Sequence, residues 1–182
     1  MGMAIAVPRY TIEDLDRLPQ DGNRYELLDG VLLVTPAPAQ SHQVVINRLA
    51  FRLTEALEVP GHARVVGPGA VVAPPNTQLQ PDILVYPSRF PLSAEWHEID
   101  EHWLAVEVLS RSSRIYDREF KRDAYFALGV QQVWLVDRRN RSAEVCRGRG
   151  VGEVVRDVIR LHVPAADLLV SIDLSEIFAG LD

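Results

Sequence analysis

The sequence predicts an α/β (α+β) fold in which one mixed β-sheet is flanked by helices in a single domain. Three observations carry this. The segments alternate in kind: a helix, a hairpin, a long helix, three strands, a helix, then further strands. Residues 103–136 have the strand, helix, strand form of a right-handed crossover, which sets its two strands parallel. Finally, 182 residues with 47% hydrophobic and 24% charged side chains suit one domain with a substantial core.

Residues 11–18 read as a short helix, with Thr11 as N-cap and acidic residues in its first turn. Residues 25–34 form a hairpin about Asp29-Gly30, a preferred two-residue turn. Pro36 and Pro38 then break the chain. From Ser41 to Glu58, Val45, Leu49, Leu53 and Leu57 recur at helical spacing, and Pro60-Gly61 ends that helix. Residues 63–73 hold two valine pairs split by a Gly-Pro-Gly, the pattern of a bulged or broken strand. Asp82 to Tyr86 is a short apolar strand stopped by Pro87. Residues 88–101 read as a loop with a helical turn near Glu95, and Trp103 to Leu109 as a strongly apolar strand.

Residues 114–128 have helical spacing, with Tyr116, Phe120, Ala124 and Ala127 as the expected apolar stripe and Gly129 as the stop. Val133 to Val136 and residues 142–147 pair as a hairpin. One or two more strands and a helix near Leu174 to Phe178 complete the chain.

Composition narrows the function. No apolar run reaches the 18 or more residues of a membrane span, and the start of the chain lacks the basic leader of a secretory signal. A lone cysteine, Cys146, precludes an internal disulfide and a cysteine zinc cluster, and fits a reducing cytoplasm. The net charge of −6 repels nucleic acid at long range, so such a partner would need local basic patches and bridging metal ions. Two patches are available. Arg111, Arg114, Arg118, Lys121 and Arg122 form one; Arg138, Arg139, Arg141, Arg147 and Arg149 form the other, which reads better as a solvated surface.

Of 19 basic residues, Lys121 is the one lysine. Arginine is a fixed fork, whereas lysine is a compact point charge suited to chemistry at a single atom. Lys121 shares a helical stripe with Asp117 and Tyr125 at i, i+4 spacing, next to the expected apolar stripe. Its stem can therefore lie on the core and deliver the ammonium inward; the plainer reading is an Asp117–Lys121 surface pair. Glu107 sits within an apolar strand, where an ionised carboxylate is costly unless paired or metal-bound. Asp82 opens the neighbouring strand. Two such carboxylates form a hard oxygen site suited to Mg²⁺ or Mn²⁺. Glu26 reads equally as a third acid of that site or as a hairpin glutamate facing water. His42 reads as exposed, with the site as the alternative.

These residues, in this order, resemble the PD-(D/E)xK nuclease superfamily, and within it the Uma-type restriction endonuclease family. Tyr-Glu-Leu-Leu-Asp-Gly at 25–30, His42, Gln-Pro-Asp-Ile-Leu-Val at 80–85 and Val-Glu-Val-Leu-Ser at 106–110 carry the resemblance. Asp117, Lys121, Tyr125, Gly129-Val130 and Val-Trp-Leu-Val-Asp at 133–137 extend it, so that the resemblance and the domain core it implies cover about residues 10–178. The lysine of the superfamily motif falls at Leu109 here, and Lys121 on the next helix replaces it. Ser-Arg-Ser at 110–112 departs from the family's Ser-Pro-Ser.

The resemblance implies a restriction-endonuclease-like fold and a Mg²⁺- or Mn²⁺-dependent endonuclease acting on DNA. Asp82, Glu107 and the main-chain carbonyl of Val108 would hold the metal, and Lys121 would serve the attacking water or the phosphate. Glu26 would orient Lys121 or reach the metal through water. His42, Asp117 and Tyr125 would be accessory. Arg111, Arg114 and Arg118 would meet backbone phosphates, and by analogy two copies would pair as a homodimer to cut two strands. Two other readings stand beside it. One is a non-catalytic nucleic-acid or protein-binding module that keeps the fold. The other is a two-carboxylate glycosidase with Trp103 and Tyr125 as sugar platforms.

Overall fold

All seven residues of His102–Val108 are buried, so this strand needs cover on both faces, and the rest of the chain supplies it. The computed structural model describes residues 8–110, 116–163 and 166–181, with the backbone alone at 116–118. Its strands are β1 Arg24–Leu28, β2 Val31–Thr35, β3 Ala63–Val66, β4 Val71–Ala73, β5 Thr77–Leu79, β6 Ile83–Pro87, β7 His102–Val108, β8 Val130–Asp137, β9 Ser142–Cys146, β10 Glu153–Val155, β11 Val158–Val163 and β12 Leu168–Asp173. Its α-helices are α1 Ile12–Leu15, α2 Gln40–Leu53, α3 Arg122–Ala127 and α4 Leu174–Ile177.

The fold is mixed α+β, as expected, but the strands divide among three sheets. A six-stranded sheet has the order β10-β9-β8-β7-β6-β3; a four-stranded one has β2-β1-β5-β4; β11 and β12 pair alone. β7 and β8 run parallel and β6 lies antiparallel to β7. Alternation along β7 and β8 feeds two cores. Leu104, Val106, Val108, Trp134 and Val136 meet Val45, Leu49 and Leu53 of α2 on one face. Ala105, Leu109, Val133 and Leu135 meet Tyr125 of α3 and Val71 and Leu79 of the smaller sheet on the other. The central sheet is thus a buried layer between two apolar ones.

The hairpin forms because Asp29 and Gly30 both take positive φ, 50° and 77°, as a type I′ turn requires. The expected broken strand at 63–73 is in fact two strands in different sheets. The Gly-Pro-Gly between them passes close to β6: a Cβ on Gly67 would lie 2.7 Å from the Asp82 carbonyl oxygen, and one on Gly69 would lie 2.6 Å from the Leu84 Cβ. Glycine lets the chain cross the start of β6 and join the second sheet. The short strand β5 was not signalled, because three residues after a Pro-Pro are too few for a period.

α2 continues into a wider i→i+5 turn at Thr54–Glu58, and α3 is entered through another at Tyr116–Lys121. The expected start of that second helix at 114–115 lies outside the described residues. Of its expected stripe, Ala124 packs against the core and the Tyr116 side chain lies outside the described residues, but Phe120 and Ala127 are corrected. Phe120 is 51% exposed and Ala127 is exposed, while Lys121 and Tyr125 are buried. An i→i+5 turn carries an extra residue and rotates the face offered to the sheet. Among the described residues, no helix is long and apolar enough to cross a membrane.

Candidate active site

The antiparallel register of β6 and β7 pairs Ile83 with Val106. Continuing it by one pair sets Asp82 opposite Glu107, and directly opposed residues share a face. Two carboxylates therefore meet where β6 begins and β7 ends. Both are buried, at 3% and 2% exposure.

Asp82 is held from three sides. Its Oδ2 accepts from the Val108 amide at 2.8 Å and lies 3.4 Å from His42 Nε2. Its Oδ1 accepts from Arg24 at 2.9 Å. Burial works to raise the Asp82 pKa. The His42 contact, the Arg24 charge and the Val108 amide outweigh it and hold the carboxyl below its ordinary value. His42 comes from the first turn of α2 and is buried, not exposed. Its Nε2 is 2.7 Å from the Val108 carbonyl. A carbonyl can only accept, so Nε2 carries the proton, and Nδ1 is left without a hydrogen-bond partner among the described residues.

Glu107 faces the helix. Lys121 Nζ donates to its Oε1 at 3.2 Å, and the Tyr125 hydroxyl donates to the same oxygen at 2.6 Å. Lys121 Nζ also lies 2.7 Å from Glu26 Oε2. Glu26 is fully buried, and its Oε1 accepts from the Gln80 amide at 2.7 Å. The reading of Glu26 as a solvent-facing hairpin residue is therefore corrected. Lys121 delivers its ammonium inward, between two carboxylates inside the protein, so the plainer reading of a surface pair does not hold. Buried charges at such positions are tolerable because each meets an opposite charge at contact distance.

Arg24 was not singled out from the sequence, though one signal was there: it stands two residues before Glu26, on the same face of β1. Its guanidinium donates to Asp82 and, at 3.1 Å, to the Gln80 carbonyl. Burial opposes its charge, but Asp82, Glu107 and Glu26 outweigh that and raise its pKa. Three acids and two cations thus form one connected cluster.

The cluster floors a cleft of about 910 Å³, whose lining includes Arg24, His42, Asp82, Glu107, Val108 and Lys121. Arg138 and Arg139, on the turn after β8, line it too. Asp137 sets that turn by accepting from the Arg139 and Asn140 amides at 3.1 and 3.2 Å. The second arginine patch is therefore not all solvated surface. Arg141 and Arg147 bond the Leu181 carbonyl and Glu153, but Arg138 and Arg139 reach the cleft, and Arg138 NH1 has no hydrogen-bond partner among the described residues. Arg111 and Arg114 lie outside the described residues, as do the side chains of Asp117 and Arg118. Trp103 and Tyr125 are buried, at 5% and 0% exposure, which removes them as sugar platforms.

Among the described residues, no group of three or more His, Cys, Asp or Glu is assembled to hold a metal ion. Asp82, Glu107 and Val108 all line the cleft, where two carboxylates and a main-chain carbonyl offer oxygen donors. Hard oxygen donors, few in number and beside a roomy cleft, fit magnesium, which keeps several waters and takes one or two carboxylates.

The chain matches, over residues 12–179, the family described as "Uma2: Putative restriction endonuclease". Among solved structures it is similar to a "putative nuclease belonging to DUF820 from Anabaena variabilis ATCC 29413". The two are 19% identical with a TM-score of 0.70, over 93% of this chain and 97% of that one. At that identity the likeness is one of fold. No curated protein matches the chain.

Proposed function

The chain belongs to the Uma2 family of restriction-endonuclease-like proteins, and from that premise we propose that it is a metal-dependent endonuclease hydrolysing phosphodiester bonds in DNA. One observation carries the reading. Asp82 and Glu107 meet on one sheet face, with the Lys121 ammonium 3.2 Å from Glu107, at the floor of a cleft that also holds Arg138 and Arg139.

Asp82, Glu107 and the Val108 carbonyl would hold Mg²⁺ or Mn²⁺. Such an ion, when bound, supplies positive charge to the phosphodiester and acidity to an attacking water. The protein's own groups do the rest. Glu26 and Glu107 fix Lys121 from two sides, so its ammonium can orient the water or meet charge growing on the phosphate without reorganising. Tyr125 fixes the Glu107 carboxylate. His42 donates to the Val108 carbonyl and sets its direction. Arg138 and Arg139 offer bidentate forks to backbone phosphates, which position the strand without reading its sequence.

The test is plasmid cleavage with Mg²⁺ or Mn²⁺. Asp82→Ala, Glu107→Ala and Lys121→Ala should each lower the rate by roughly 10²-fold or more, the scale of losing one charge stabiliser in a transition state. Lys121→Arg should fail as well, because a wider, rigid head cannot take the same point between Glu26 and Glu107. Cleavage that survives all four changes would sink the assignment. The net charge of −6 favours a second reading, a binding module that keeps the fold. That reading expects DNA or a protein partner to be retained, with no cleavage under any metal.

A further inference from the structure

Arg24 has no part in the mechanism above, yet it occupies the position that matters most to it. Its NH1 sits 2.9 Å from Asp82 Oδ1 and 3.1 Å from the Gln80 carbonyl. Asp82 does not depend on Arg24 for a partner, since the Val108 amide at 2.8 Å and His42 at 3.4 Å approach its other oxygen. The two cations of the cluster also differ in freedom. The Lys121 side chain is 4% exposed and lies between two carboxylates. The Arg24 side chain is 23% exposed and opens onto the cleft. Both line the cleft, but Lys121 is held between two carboxylates, whereas Arg24 pairs with one and is the more exposed.

We propose that Arg24 is a resident counter-ion at Asp82 Oδ1 that a divalent cation displaces, and that the displaced guanidinium then binds the phosphodiester in the same cleft. The inference rests on the reading that Asp82 holds a divalent ion. A guanidinium and a divalent cation repel each other, and both are drawn to one carboxylate oxygen, so the better ligand must move the other aside. Without metal, Arg24 offsets the charge of three buried acids and keeps the site assembled. With metal, its planar fork is released beside the position where a phosphate would lie, and that fork matches phosphate oxygens in pairs. Arg24 would thereby link metal loading to substrate binding: a site without metal has its phosphate-binding arginine tied up.

The experiment is calorimetric titration of Mn²⁺ into the full chain without DNA, comparing wild type with Arg24→Gln. Removing the competitor should tighten Mn²⁺ binding by at least tenfold, and adding Asp82→Asn should abolish the gain. At saturating Mn²⁺, Arg24→Gln should need about tenfold more DNA for half-maximal cleavage. Equal or weaker Mn²⁺ binding by Arg24→Gln, with wild type binding normally, overturns this inference and leaves the nuclease reading standing. Silence in both proteins overturns the two together. Tighter Mn²⁺ binding with unchanged DNA dependence removes the phosphate role. Should Arg24→Gln not fold, the wild type can still decide. The Arg24 Nε–H resonance should shift on Mg²⁺ titration and exchange with water at least tenfold faster. A resonance unmoved by bound Mg²⁺ overturns the proposal.

Discussion

The two ends of β7 treat buried polar groups in opposite ways. At its C-terminal end, Glu107 stays within reach of Lys121 and Tyr125, and beyond them Glu26, Asp82 and Arg24 complete a network of ionic partners. At its N-terminal end, His102 is 3% exposed and neither ring nitrogen has a hydrogen-bond partner among the described residues. Burial depresses its pKa to about 4, although Asp100 and Glu101 pull the other way. One end meets the cost of burial by pairing charges, the other by giving up the charge. An end that keeps charges in contact beside a cleft can act on a charged substrate; an end that holds a neutral ring serves packing.

Three changes would break or sharpen this contrast. The largest effect is expected from Lys121→Met. It strands Glu26 and Glu107 inside the protein, and losing one partner of a buried ionic network costs about 3–5 kcal/mol. Urea unfolding measures it, and a loss below about 1 kcal/mol would mean that the pairing is not what keeps the charged end folded. Pairing the change with Glu26→Gln should recover part of the loss, as a double-mutant cycle would show.

Next is the pH response of the neutral end. The folded pKa of His102 lies near 4, below its ordinary 6.5. The unfolded chain therefore binds more protons between those values, and stability rises with pH across that window. The contribution of His102 to this slope should fade out above about pH 7.5, and it should amount to about 3 kcal/mol of lost stability by pH 4. His102→Leu should flatten the curve over pH 4–6.5 in thermal unfolding; an undiminished slope would put the acid sensitivity elsewhere. The smallest effect belongs to Tyr125→Phe. It removes one hydrogen bond to Glu107 but leaves Lys121 in place, for a loss of about 1.5 kcal/mol. An effect as large as that of Lys121→Met would show that the phenol, and not the ammonium, holds the carboxylate.

Much of the charged end was legible in the sequence because its members announce themselves locally. Glu107 interrupts an apolar strand, Asp82 opens one after Pro81, and Lys121 is the one lysine of the chain. Helical spacing was enough to put Lys121 and Tyr125 on one stripe, and both do reach Glu107. The same spacing misjudged Phe120, because it assumes a regular helix and the chain enters α3 through a wider turn. Arg24 escaped notice because its partner is 58 residues away on another sheet. Arg138 and Arg139 looked like surface because nothing local records that the turn after β8 leans over the cleft.

By itself, then, the sequence determined the mixed fold, the parallel strand pair, and the place of the candidate site's residues on strand ends and one helix. These follow from periodicity, turn chemistry and the cost of burying charge, all of which act over a few neighbouring residues. The tertiary structure alone decided which charges pair. Whether Glu26 faces water or Lys121, whether His42 is exposed or holds the Val108 carbonyl, and whether Arg24 reaches Asp82 all depend on how two sheets and two helices approach one another. A contact ion pair needs its charged atoms within about 4 Å, so a shift smaller than one residue's length separates a charge network from a set of unpaired charges.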